Sequence, residues 1–128
     1  MQIEEMGNKV LETWDAAELS EAWIAGAAVI IDVRSPQEFM HEHIPGSLLI
    51  PMSSFDGTKL PDEAGKRIVL MCAGGVRSER MARAALEAGL DRIAHLGGGF
   101  GAWKGAGLGY TGTDFASGAP KRVPPRAG

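Results

Sequence analysis

The chain has 128 residues, 45% of them hydrophobic and 23% charged, with a formal net charge of −3 at pH 7. That length bounds a single domain able to bury a core without disulfides or metals, and the mild negative charge gives no reason to expect nucleic acid or a membrane surface as partner. The lone cysteine, Cys72, excludes an internal disulfide.

The opening MQIEEMGNKV carries acids and no apolar run, unlike a secretory signal. The longest apolar stretch, Ala25–Ile31, is too short to span a bilayer, so a soluble, cytoplasmic protein is expected.

In chain order, Val10–Thr13 reads as an edge strand. DAAELSEAWIAG follows as a helix with Asp15 at its N-cap, Leu19, Trp23 and Ile24 on one face, and Gly26 as its stop. Ala28–Ile31 is a short apolar run of the kind buried on both faces of a parallel sheet. SPQEF then places Ser35 at an N-cap, Pro36 at the first helical position and Glu38 at the third, a capping box. Ser47–Ile50 and Arg67–Met71 are further strands. Ser78 to Gly89 has helical spacing through Met81, Ala84, Ala85 and Ala88. Arg92–Leu96 is the next strand, and glycine turns bracket a short helix around Trp103.

Alternation of strand and helix predicts a three-layer α/β domain over residues 1–110, its mainly parallel central sheet of four to five strands flanked by helices. Residues 111–128 are rich in Gly, Pro and Ser. They read as an appended tail with little core of its own, solvated unless it docks a partner.

The chemistry concentrates in LMCAGGVRSER. Cys72 falls at the carboxyl end of a strand, where open α/β sheets bind their ligands. The helix that follows directs free N–H groups and the positive end of its dipole toward the sulfur. Gly74 and Gly75 can take positive φ and let successive N–H groups converge on an anion, and Arg77 adds a fixed positive charge. A cysteine so placed is expected to ionise at neutral pH. A buried, inert core thiol is the competing reading, and the glycines, the arginine and the helix start weigh against it.

These residues resemble the active-site loop of the rhodanese-like domains, C-x-x-G-x-R-S. IIDVRSPQEFMHEHIPGSLLIP is similar to that family's D-V-R…E-F…H-I-P-G-A…I-P block, and LGGGFGAWKGAGL to its G-G-x-x-A-W-x-x-A-G segment. The three motifs span roughly Trp14 to Leu108, with Glu42, Ser47 and Gly109 as small departures from the pattern.

The resemblance implies a sulfurtransferase without cofactor. Cys72 would take the outer sulfur of thiosulfate or a similar small anionic donor as a persulfide and pass it to cyanide, a thiol or a protein partner. Arg77 would dock the donor, and Ala73, Gly74, Gly75, Val76 and Ser78 would line the site. A persulfide carrier or regulatory module with little turnover is one alternative. Phosphatases and arsenate reductases of the cell-division-cycle type share the fold, but their loops resemble C-x-x-x-x-x-R. Here four residues separate Cys72 from Arg77, and no general acid lies nearby in sequence.

Asp32 and Arg34 are expected at the same end of the sheet, either shaping the pocket's field or forming a structural ion pair with Glu38 or the helix start. His41 and His43 are two apart, whereas a helical zinc pair needs four, so no metal is expected; His43 is read as fixing a turn. His95 is read as a strand residue with no special role. Arg80 and Arg83 either widen the positive field or form a solvated helix face. Gly97–Gly99 lack the spacing of a phosphate-binding fingerprint and read as a turn.

Overall fold

The apolar runs become the centre of a sheet. The computed structural model describes residues 1–61 and 65–126. In chain order it contains β1 (Gln2–Met6), β2 (Lys9–Trp14), α1 (Ala16–Ile24), β3 (Ala28–Asp32), α2 (Pro36–His41), β4 (Leu48–Leu49) and a 3-10 turn at Met52–Ser54. Then follow β5 (Arg67–Met71), α3 (Val76–Glu87), β6 (Arg92–Leu96), α4 (Gly99–Gly105), β7 (Tyr110–Thr113) and β8 (Pro120–Val123).

Six strands form the main sheet in the order β1-β2-β6-β5-β3-β4, parallel except for the antiparallel β1–β2 pair. The strand expected at the edge is therefore covered. QIEEM pairs along β2 with four of its five residues exposed, and a strand without a buried face carries no alternating apolar signal.

Side chains alternate across the sheet and build a core on each face. Ile30, Val69, Met71, Ala94 and Leu96 pack with Leu19, Phe100 and Trp103 on one side. Val29, Ile31, Leu70, Cys72 and Ile93 pack with Ala82, Ala85 and Leu86 of α3 on the other. The buried face of α3 is thus Ser78, Ala82, Ala85 and Leu86, and the expected Ala88 is exposed. Leu86 is the large apolar residue of this stretch, and its burial turns the helix. In α1, Leu19 is buried but Ile24 is 77% exposed, because five residues carry it about 140° around the helix.

Both expected capping boxes form: Asp15 with Glu18 at α1, and Ser35 with Glu38 at α2. The 111–128 segment contributes most of a second, two-stranded sheet, β7–β8. Its residues are largely exposed, yet it is not loose. His43 and Thr111 exchange backbone hydrogen bonds at 2.8 Å, the Thr113 hydroxyl donates to the Met40 and His41 carbonyls, and the Arg126 side chain donates to Gly105 O at 2.8 Å. Among the described residues, no helix is long and apolar enough to cross a membrane.

Toward the amino ends of the parallel strands lies one buried carboxylate, Glu12, which accepts from Trp14 Nε1 at 2.8 Å and pairs with Arg67 and Arg92. Burial works against its charge, but Trp14 and the two guanidinium groups prevail and hold its pKa below the usual carboxylate value. Glu12→Ala should leave a buried indole N–H unpaired and lower the unfolding free energy by about 2–3 kcal/mol. In urea titration the midpoint should fall with the slope unchanged.

Candidate functional site

The site is built where β5 ends. Cys72 follows β5 directly, is 1% exposed, and receives the Gly75 N–H at 3.0 Å on its sulfur. The Ser78 hydroxyl oxygen lies 3.6 Å from Sγ. Burial pushes the thiol up, but the Ser78 side chain and the N–H groups of Ser78, Gly75 and Gly74 outweigh it, leaving the pKa below its ordinary value.

Gly75 sits at φ 105° as the N-cap of α3, a conformation L side chains rarely adopt. Gly74 is not in positive φ, so one glycine makes the turn where two were expected. The helix begins at Val76, two residues before the expected start, which puts Arg77 and Ser78 in its first turn. Of the other loop residues, Ala73, Gly74 and Val76 face solvent, while Gly75 and Ser78 are buried.

The glycine run after β6 supports the loop from behind. Phe100 N–H donates to Cys72 O at 2.8 Å and Gly101 N–H to Ala73 O at 3.1 Å. A Cβ on Gly99 would fall 2.6 Å from the Ala73 carbonyl carbon and closer still to Cys72 O. The expected turn at 97–99 is therefore the seat of the cysteine loop.

Arg77 is not free. Its two terminal nitrogens bind the Glu38 carboxylate at 2.8 and 2.9 Å, both side chains about one-third exposed. The cap residue of α2 is thereby also the partner of the loop arginine. Its pairing with Glu38 raises the Arg77 pKa most, burial opposes this, and the charges of Glu38, Cys72 and Asp32 reinforce it.

Asp32 and Arg34 form a buried pair with each other. Arg34 Nε reaches both Asp32 oxygens at 3.0 and 3.1 Å, and its Nη2 reaches Oδ2 at 2.8 Å and the Glu42 carbonyl at 2.7 Å. The guanidinium also lies over the Phe100 ring, 4.7 Å from its centroid. Their hydrogen bonds all run to the scaffold. The partner is within the pair, where Glu38 or a helix start was expected.

His43 takes a structural place, with Nδ1 2.8 Å from Phe39 O and its ring stacked on Phe39. Among the described residues, no three His, Cys, Asp or Glu side chains are grouped to hold a metal ion. Arg83 pairs with Glu4 of β1 and with Glu79 of α3.

His95, read as a strand residue with no special role, does lie in β6, and its ring has partners on both sides. It is 3% exposed and bridges Ser78 and Thr13. No local signal in RIAHL marks this. Its contacts depend on how three strands align.

The chain belongs to the rhodanese-like family: the Rhodanese-like domain model matches residues 15–106. An uncharacterised protein of Synechocystis, slr1261, is 42% identical over 64% of this chain and 46% of its own length. The uncharacterised YqhL protein of Bacillus subtilis is 40% identical over 61% of this chain and 62% of its own. The match thus spans about half to three-fifths of these curated relatives. Among solved structures, a Rhodopseudomonas palustris protein described as a possible tyrosine phosphatase is 35% identical, with TM-score 0.66 over 76% of this chain and 82% of that one. A rhodanese-related protein of Thermoplasma volcanium is 30% identical, with TM-score 0.64 over 75% and 93%.

The Arg77–Glu38 pair makes a pH prediction. Hydrogen bonding from Arg77, opposed by burial and helped by Ser35, lowers the Glu38 pKa to about 2. A depressed carboxylate stabilises above its unfolded pKa and loses that contribution as pH falls through the folded one. Gln at this position can still cap the helix. The urea midpoint of the native chain should exceed that of Glu38→Gln by a constant margin above roughly pH 5, and the margin should shrink steadily toward roughly pH 3.

Proposed function

We propose that this domain is a sulfurtransferase that carries sulfane sulfur on Cys72. The reading is carried by the setting of one atom: a sulfur buried to 1% exposure whose pKa is nonetheless lowered by converging hydrogen bonds. Hydrogen bonds aimed at that sulfur favour its anion before attack and again as a terminal persulfide.

In the first step the Cys72 thiolate attacks the outer sulfur of thiosulfate. A new S–S bond forms, the S–S bond of the donor breaks, and sulfite leaves with the electron pair. In the second, cyanide or a thiolate attacks the terminal sulfur and the Cys72 thiolate is released. Splitting the transfer through a covalent intermediate divides one difficult displacement into two easier ones.

Arg77 is the docking charge for an anionic donor, and the backbone of Ala73, Gly74, Gly75 and Val76 with Ser78 forms the cradle. Asp32 and Arg34 act as scaffold. Because Glu38 already binds Arg77 on two atoms, a small anion must share or displace that carboxylate. A protein persulfide, which carries less charge, is a donor that fits this site at least as well.

A phosphatase reading draws on the Rhodopseudomonas protein's description. The loop argues for sulfur instead. A phosphoryl dianion needs a wide ring of N–H groups, and here only four residues lie between Cys72 and Arg77, a loop that encloses less volume.

Incubation with thiosulfate should add one sulfur atom to the intact mass, cyanide should remove it, and Cys72→Ser should show neither event. An adduct that no acceptor discharges, or its absence, overturns the reading, and Cys72-dependent hydrolysis of an aryl phosphate replaces it with the phosphatase. Arg77→Ala should raise the KM for thiosulfate about tenfold, the worth of one charge-assisted contact, while discharge to dithiothreitol changes less than about twofold. Equal losses in both half-reactions would remove Arg77 from donor docking.

A further inference from the structure

Three polar side chains stand in file behind the Cys72 sulfur. Ser78 Oγ is 3.6 Å from Sγ, His95 Nδ1 is 3.0 Å from Ser78 Oγ, and Thr13 Oγ1 is 3.1 Å from His95 Nε2. They belong to α3, β6 and β2, and the sheet register sets the file. Thr13 and Leu70 are both Cα partners of His95, and Cys72 lies two residues beyond Leu70 on the same face. Ser78 and His95 are buried. The file ends at Thr13, on a cleft of about 370 Å³ bordered by Gln2, Glu79, Arg80 and the loop glycines.

Counting protons decides what this file does. A hydroxyl has one hydrogen to give, and a neutral imidazole has one N–H. Ser78 has three neighbours competing for its hydrogen or its lone pairs: Sγ, the Gly75 carbonyl at 3.1 Å, and His95 Nδ1.

With the His95 proton on Nε2, the ring donates to Thr13 and its bare Nδ1 takes the Ser78 hydrogen. The hydroxyl then turns only lone pairs toward the sulfur, which suits a neutral S–H and repels a thiolate. With the proton on Nδ1, the ring donates to Ser78 and the Thr13 hydroxyl donates to Nε2. The Ser78 hydrogen is then released to the strongest acceptor in reach, and a thiolate outcompetes a carbonyl.

We propose that His95 is a positioning residue for Cys72, its Nδ1–H tautomer, with Nε2 accepting from Thr13, aiming the Ser78 hydroxyl at the thiolate. The inference rests on Cys72 being the nucleophile of the proposed reaction. The tautomer decides this only in a neutral ring, since an imidazolium donates from both nitrogens. Burial lowers its pKa, the Glu79 charge opposes this and Arg83 assists. The charged groups around it are these two and Arg80 from α3, with Cys72 on the loop; β2 presents the uncharged Thr13.

The test uses the full chain. The rate of Cys72 alkylation by iodoacetamide is followed against pH for the native protein, His95→Leu, His95→Asn and Thr13→Val, with urea titration to verify folding. Nitrogen-15 NMR of the native protein assigns the ring tautomer. Leu removes the donor, whereas the Asn amide nitrogen can occupy the Nδ1 position.

The expected results are Nδ1 protonation, about threefold less thiolate below the alkylation midpoint in His95→Leu, where the unpinned hydroxyl also visits the Gly75 carbonyl, a smaller loss in Thr13→Val, and near-native behaviour in His95→Asn. Protonation at Nε2, or unchanged alkylation profiles in folded His95→Leu, overturns the role of His95 while leaving the nucleophile in place. If native Cys72 itself titrates like free cysteine, near pH 8.5, the nucleophile reading falls first and the His95 role falls with it. Should His95→Leu not fold, the NMR tautomer decides alone.

Discussion

The site depends on how closely two stretches of backbone approach. Helix α4 begins against the cysteine loop so tightly that position 99 has no room for a side chain, and two of its amides hold the carbonyls of Cys72 and Ala73. A peptide unit points its N–H and C=O in opposite directions. Tying the Ala73 carbonyl to α4 turns the Gly74 amide of the same peptide unit toward the sulfur, where the Gly75 and Ser78 amides also point. An element that contributes no side chain to the sulfur thus holds in place the loop that surrounds it.

A second constraint is electrostatic. Buried or half-buried charges around the loop are matched within the fold, Asp32 with Arg34 and Arg77 with Glu38. Arg34 is held on three sides, by Asp32, the Glu42 carbonyl and the Phe100 ring. Such a pair stabilises less than its Coulomb energy suggests, because both ions lose water, but removing either partner strands the other. Its contribution is a fixed geometry between β3, α2 and α4. Arg77 and Glu38, each about one-third exposed, are the members of this network that solvent can reach.

The sequence is legible where one element determines the outcome. The buried strands, both capping boxes and the placement of Cys72 between β5 and α3 follow from residues within a few positions of one another. Reading failed where partners are distant. β1 has no apolar face to announce it, since it is recruited by hydrogen bonding to β2. The double duty of Glu38 requires knowing that α2 lies beside the loop, 39 residues away in sequence. His95 looks idle until the β2–β6 and β5–β6 registers put it between Thr13 and Ser78. A one-residue slip of either register would turn the imidazole to the opposite face of the sheet.

The C-terminal hairpin has a consequence in polymer terms. By pairing with His43 and reaching Gly105, it joins α2, which carries Glu38, to α4, which seats the cysteine loop. The chain between His43 and Thr111 is thereby closed into a ring whose ends are pinned by the hairpin, and closing a ring limits how far segments inside it can wander. Both halves of the loop's support lie on or at the edge of that ring. The exposed hairpin, remote from the sulfur, thus acts as a tether on the freedom of the pocket itself.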